Sequence, residues 1–191
     1  MNPSTPPGTT APATRTELRR HMLAARQAWM QGPSAQAAQS ELEKKLLAVL
    51  RQLEPKCLGL YWPVQGEFNP RPLALSVQAE WSCQLALPWA QRAPRHMQYR
   101  PWDGEALDTK DECGIPSPSG QPCHPDVVLV PCVGFTQEGY RLGYGGGYFD
   151  RYLASNPDVT AIGVSWAIGE LNAQALQPEP HDMPLLCVLT E

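Results

Sequence analysis

The first strong pattern along the chain is helical. Leu18, Met22, Ala25 and Trp29 recur at i, i+4, i+7 and i+11 and predict a helix from Arg15 to about Met30. Arg15, Arg19 and Arg26 make a second stripe beside it, and Arg20 points elsewhere. Gly32 and Pro33 break this helix. A second is predicted from about Ser34 to Leu53, with Leu42, Leu46, Val49 and Leu53 as its core face and Pro55 as its stop. The period then shortens. Residues 57–62 are an apolar run ended by Pro63, which marks a buried strand. Asn69 and Pro70 read as the N-cap and first residue of a short helix ending near Glu80.

Strands follow at 83–87, closed by Pro88, and at 97–100. Residues 101–125, rich in Pro, Gly and Asp, predict no regular element. Residues 126–131 form the clearest strand. The run lacks polar alternation, so both faces should be buried, as in a parallel sheet. A turn at 137–139, a helix ending near Ser155, and strands at 159–164 and 185–189 complete the chain. Strand and helix alternate. The expected fold is therefore α/β: a three-layer sandwich with a largely parallel sheet, helices on both faces and an N-terminal helical segment.

Length and composition narrow this further. The 191 residues suit one domain, and 42% hydrophobic with 18% charged residues is globular, not disordered. Residues 1–14, rich in Pro, Thr and Ser, read as a disordered tail before a domain at 15–191. A total of 21 Pro and 15 Gly calls for long irregular connections. The net charge of −4 disfavours a protein that grips nucleic-acid backbone. No run approaches the ~20 apolar residues of a membrane span, and the N-terminus lacks the apolar core of a secretory signal. The expectation is a cytoplasmic monomer acting on small molecules, with no nucleic-acid or membrane partner. Six cysteines without a C-x-x-C pair argue for free thiols and against zinc.

The segment from Arg141 to Arg151, RLGYGGGYFDR, carries the strongest chemical signal. Four glycines in five positions let backbone approach a ligand and adopt positive φ. The helix that follows turns its free N–H groups toward this loop, and Arg141 adds a cation, so a phosphate suits the site. The alternative is a tight strand-to-helix turn without a ligand. The pattern is neither a P-loop nor a dinucleotide-binding fingerprint. The Arg15, Arg19 and Arg26 stripe could meet a polyphosphate or be a solvated face. Glu67 follows the carboxyl end of the first strand, where open α/β sheets place ligands, though it could equally be an exposed loop residue. Asp150 and Asp182 are candidate Mg²⁺ carboxylates, and each could instead serve a helix end or turn.

The glycine segment, after residues 126–131 (DVVLVP), closely resembles the signature of the 5-formyltetrahydrofolate cyclo-ligases, also called methenyltetrahydrofolate synthetases. Leu87-Pro88, Gly114-Ile115-Pro116, the Glu67 loop and Asp182 before a last strand extend the likeness over residues 15–191. The resemblance implies conversion of 5-formyltetrahydrofolate and ATP, with Mg²⁺, into 5,10-methenyltetrahydrofolate, ADP and phosphate. Position by position, it implies that Arg15 and Arg19 reach the ATP phosphates. Arg141, Leu142, Gly143, Tyr144, Gly145, Gly146, Gly147, Tyr148 and Phe149 would form the ATP loop. Glu67, Tyr144 and Phe149 would touch folate, Asp150 and Asp182 would hold Mg²⁺, and Arg141 and Asp150 would act in catalysis.

The chain departs from the family pattern at several places. Arg15 stands where Lys is frequent, Gly146 where some members have Lys, and Phe149 where Tyr is common. Ser117 stands where many have Glu, and Leu186 where a second Asp is often found. A second hypothesis is a folate- or nucleotide-binding regulator that has lost catalysis. Removing residues 1–13, which carry no candidate ligand, is expected to leave turnover and melting temperature nearly unchanged. A large loss in either would show that the tail packs on the domain.

Overall fold

The structure is a computed structural model that describes residues 14–191. Helices α1 (Arg15–Met30) and α2 (Ala35–Leu53) lead into β1 (Cys57–Gly59), α3 (Arg71–Trp81) and the hairpin of β2 (Gln84–Arg92) and β3 (Arg95–Trp102). Then come β4 (Val127–Pro131), β5 (Gly134–Phe135), β6 (Arg141–Leu142), α4 (Tyr148–Ser155), β7 (Thr160–Val164) and β8 (Cys187–Leu189). Six strands form one sheet in the order β3-β2-β1-β4-β7-β8. All neighbours run parallel except β3, which pairs antiparallel with β2 at the edge. β5 and β6 form a separate two-stranded ribbon.

The alternation of side chains along the strands divides the core into two layers. Leu58, Leu85, Leu87, Val127, Leu129, Ile162 and Val164 pack with Leu42, Leu46 and Leu50 of α2 and Val77 of α3. Cys57, Ala86, Val128, Val130 and Ala161 face the other way, onto Tyr152 and Leu153 of α4. Every β4 residue is buried, so the run without alternation is indeed a central parallel strand. The α/β three-layer expectation is met.

Local boundaries shift for identifiable reasons. Thr14 belongs to the domain: its hydroxyl accepts from Glu17 N at 3.2 Å and Glu17 accepts from Thr14 N at 2.9 Å. This capping box starts α1 at Arg15. The rest of the expected tail, residues 1–13, lies outside the described residues. In α2 the buried row is Ala38, Leu42, Leu46 and Leu50, while Val49 and Leu53 are only partly covered. The four-residue ridge, not a broad stripe, meets the sheet. Asn69 does not cap α3 as expected. Pro70 takes the cap position, and Asn69 Oδ1 accepts from Arg71 N at 3.3 Å.

Two expected stops also move. Strand β2 runs through Pro88 to Arg92, paired with β3 throughout. Pairing with β1 ends at Ala86, so Pro88 has a strand on one side only, where a missing N–H is tolerated. The first strand is shorter than expected and ends at Gly59. Residues 101 and 102, expected to be irregular, continue β3, and the rest of the stretch to 125 is held by the isolated bridges Tyr99–Cys123 and Lys110–Pro116 and by Asp111. Its carboxylate accepts from Cys113 N and Ile115 N, both at 2.9 Å, and from Ala90 N at 3.2 Å. The six cysteines are free, and among the described residues no helix is long and apolar enough to cross a membrane.

Candidate active site

A cavity of about 410 Å³ opens at the carboxyl ends of β1, β2 and β4. This is where a parallel sheet places ligands, because strand ends and loops converge there. One wall is β6 and the segment after it: Arg141, Gly143, Tyr144 and Gly146–Asp150 all line it. Glu67 and Trp62, from the loop after β1, form another part. Met97 of β3, together with Asp111, Cys113 and Ile115 from the stretch without regular elements, completes it.

The glycine segment is built as its composition requires. Gly145 and Gly147 adopt φ of +87° and +64°, values that residues with a Cβ rarely take. Gly147 caps α4, so the first N–H groups of that helix face the loop. Arg19 crosses the loop from α1. Its Nε donates to Gly143 O at 2.6 Å, and a Cβ on Gly145 would come within 3.2 Å of its guanidinium carbon. Burial, and then the Arg15 charge, push Arg19 below its usual pKa. Arg19, held against the loop that leads into the free N–H groups of α4, makes a place for an anion.

The carboxylates are each tied to an arginine. Arg141, with only 4% of its side chain exposed, donates to Asp150 Oδ1 at 2.7 Å and to Met183 O at 2.8 Å. Met183 N also donates to Asp150 Oδ1, at 3.2 Å. Asp150 therefore has a role that neither sequence alternative foresaw: it is the counter-ion of a buried guanidinium. Its Oδ2 accepts no hydrogen bond from any described residue. Asp182 binds Arg15 through both oxygens and accepts from Glu179 N at 2.7 Å. These bonds hold its carboxyl below the ordinary value, although burial alone would raise it.

Asp182 and Arg15 sit beside the cavity, not in its lining. Arg19 reaches it only through the loop backbone. Among the described residues no cluster of three or more His, Cys, Asp and Glu is arranged as a metal site. Mg²⁺ does not need one, since it takes one or two carboxylates with substrate phosphates and water. The free Oδ2 of Asp150, on the cavity wall, fits that pattern.

Glu67 is half-buried. Its Oε1 accepts from the Tyr144 hydroxyl at 2.8 Å and its Oε2 from Val64 N at 2.8 Å. Desolvation pushes its carboxyl up to about 6, against the pull of those two bonds and of the Arg26 charge. Tyr144 and Glu67 thus meet at the cavity wall. Phe149 packs into both core layers while lining the cavity. Tyr148 accepts from Cys113 Sγ at 3.3 Å and lies under the Arg151 guanidinium. Leu142 is buried beside Met22 and anchors the ribbon. Gly146 has no room for a longer side chain as the loop stands, because a Cβ would meet the Tyr148 ring at 2.7 Å.

Ser117 is buried and donates to Pro88 O at 2.8 Å, so here that position braces β2. Leu186 is exposed. Sequence reasoning missed Trp62, Met97, Asp111 and Cys113 as cavity residues, since each sits in a segment without a motif. Arg26 was visible in the arginine stripe, but its burial was not.

The model of the 5-formyltetrahydrofolate cyclo-ligase family matches residues 11–191. The chain belongs to this family. A cyclo-ligase of this name from Haemophilus influenzae is 28% identical over 164 residues, covering 80% of the chain and 84% of that protein. The structure of a 5,10-methenyltetrahydrofolate synthetase from Mycoplasma pneumoniae superposes with a TM-score of 0.74 at 22% identity. It covers 93% of this chain and 99% of its own. The synthetase from Aquifex aeolicus, solved by NMR, gives a TM-score of 0.70 at 28% identity, over 92% and 89% of the two chains. The cavity of this cyclo-ligase family member lies on a fold shared with those two synthetases, and the glycine segment forms part of its wall.

Proposed function

We propose that the protein is an enzyme that converts 5-formyltetrahydrofolate to 5,10-methenyltetrahydrofolate with ATP and Mg²⁺, releasing ADP and phosphate. The observation that carries this reading is that the glycine loop and Glu67 line one cavity. An anion cradle and a pocket for an organic substrate would thereby share one cavity, as transfer of a phosphoryl group between two small molecules demands.

In this reading the loop Leu142–Phe149, the α4 N-terminus, Arg15 and Arg19 take the triphosphate, and Arg141 orients the loop and Asp150. Glu67, Tyr144 and Phe149 hold the folate. The formyl oxygen attacks the γ-phosphorus, ADP leaves, and N10 then adds to the activated formyl carbon. The N10 proton is given up, and the C–O bond to phosphate breaks to form the methenyl bridge. No side-chain nucleophile is needed. The work is positioning and charge neutralisation, which backbone N–H groups and guanidiniums supply. Glu67 is ionised at neutral pH and is close enough to neutrality in pKa to receive the N10 proton. Asp150, with Asp182 once Arg15 has moved to phosphate, would hold Mg²⁺, which supplies charge neutralisation on the phosphates.

Ultraviolet absorbance tests the proposal, because ring closure creates a methenyl chromophore. The chromophore is expected to appear on mixing the full-length protein with 5-formyltetrahydrofolate, ATP and Mg²⁺. It should be absent without ATP. Binding of both substrates without chromophore formation would replace this reading with that of a regulator.

A further inference from the structure

Arg26 is not part of the machinery just described, yet it is 3% exposed, which is rare for an arginine. It reaches inward from α1 and touches three other segments. Its Nη2 donates to Cys132 O just past β4, and its Nη1 to the Tyr144 hydroxyl at 3.2 Å. Its aliphatic stem lies against Gly66, where a Cβ would stand 3.7 Å from both Cγ and Cδ. Gly66 directly precedes Glu67, and the Tyr144 hydroxyl donates onward to Glu67 Oε1 at 2.8 Å. A buried guanidinium without a carboxylate of its own is costly, so its placement calls for a function.

We propose that Arg26 is a positioning residue for the folate half of the site: its guanidinium fixes the Tyr144 hydroxyl, and through it the Glu67 carboxylate, at the cavity wall. This rests on the reading of Glu67 as the folate contact. The chain of contacts is directional. Arg26 has only donors, so the Tyr144 oxygen accepts from it and must turn its own proton to Glu67. The charge also acts on Glu67 through the low-dielectric wall. The groups that interact with Glu67 are Tyr144 from the loop, Val64 N from its own turn, Tyr61 after β1, Cys132 after β4 and Arg26 from α1. Arg26 is the one cation acting on it among the described residues. Removing that charge leaves burial less opposed, so Glu67 should hold its proton to higher pH.

The test compares Arg26→Gln, Arg26→Lys and Tyr144→Phe in the full-length protein. Melting temperature, KM and kcat for each substrate, and Glu67 titration by ¹³C NMR of labelled glutamate, assigned with Glu67→Gln, are measured. Arg26→Gln is expected to lower kcat/KM for 5-formyltetrahydrofolate by about tenfold or more while the ATP KM stays within about twofold. The acid limb of the pH profile and the Glu67 titration should both rise, by about one pH unit. Arg26→Lys should recover part of that shift. If Arg26→Gln does not fold, Tyr144→Phe carries the test. Tyr144 is 38% exposed, and its loss leaves the bond to Cys132 in place.

An unmoved Glu67 titration in folded variants would overturn the proposal. So would equal losses for folate and ATP in step with melting temperature. A wild-type protein that makes no methenyl product would instead overturn the functional reading, and the Glu67 titration would still report on Arg26.

Discussion

Asp150→Asn is expected to reduce turnover by about a hundredfold or more, equivalent to ~2.7 kcal/mol of barrier. The carboxylate lies in the first turn of α4 on the cavity wall, with Oδ2 free. A role confined to the helix dipole would be worth ~0.3–1 kcal/mol and would leave catalysis alone. The ion pair with Arg141 adds a second consequence. Asn keeps an oxygen for the Arg141 and Met183 N–H groups but removes the charge that neutralises a guanidinium only 4% exposed. Stability should therefore fall by about 1–3 kcal/mol. The two effects separate in a Mg²⁺ titration of the initial rate of methenyl formation, at a temperature well below unfolding. A raised Mg²⁺ midpoint marks the metal role. Near-normal turnover with an unchanged midpoint would leave Asp150 as the counter-ion of Arg141 and nothing more.

Glu67→Gln is expected to weaken folate use and to stabilise the protein. The folded carboxyl titrates near 6 against an ordinary value of 4.5. A raised carboxyl means that the folded state prefers the proton. The favourable contribution is complete below about pH 4.5 and is lost as pH rises through 6. Gln is neutral throughout; its oxygen can accept from Val64 N, and its NH₂ can donate to the Tyr144 oxygen once the tyrosine proton turns away. The variant should therefore match wild type near pH 4.5 and exceed it above pH 6. After allowance for partial exposure, the gain is about 1–2 kcal/mol. kcat/KM for 5-formyltetrahydrofolate should fall by about 1–3 kcal/mol, or five- to 150-fold, with ATP affinity nearly intact. An ATP loss as large as the folate loss would remove Glu67 from the folate site. Urea unfolding at pH 4.5 and 7.5 checks the stability half.

Much of this site was legible because its parts rest on short-range rules. The positive φ at Gly145 and Gly147 and the start of α4 follow from the local run of glycines. The unalternating β4 declared itself central and parallel, which fixed where the cavity had to open. What stayed hidden depends on distant partners. Nothing near Asp150 in the chain announces Met183, and nothing near Arg15 announces Asp182, 167 residues away. The stretch after β3, residues 103–125, had no period to read because Asp111, through backbone N–H groups, and isolated bridges organise it. Pro88 read as a strand end because a single sequence does not show which side of a strand lacks a neighbour. Arg26 shared its stripe with Arg15 and Arg19, but whether a helix face meets water or a cavity wall is decided by what packs there.

If the proposed function holds, the Arg15–Asp182 contact would turn nucleotide capture into an ion exchange. In the ligand-free protein the guanidinium is already neutralised, by Asp182 and by Glu179 at 3.3 Å. A triphosphate would then have to displace a carboxylate rather than settle on a bare cation. The displaced carboxylate would be left without its counter-charge beside a newly arrived polyanion, and a divalent cation would answer both. On that reading, free nucleotide and free cation should each bind poorly alone and well together, and the site would select the metal-nucleotide complex.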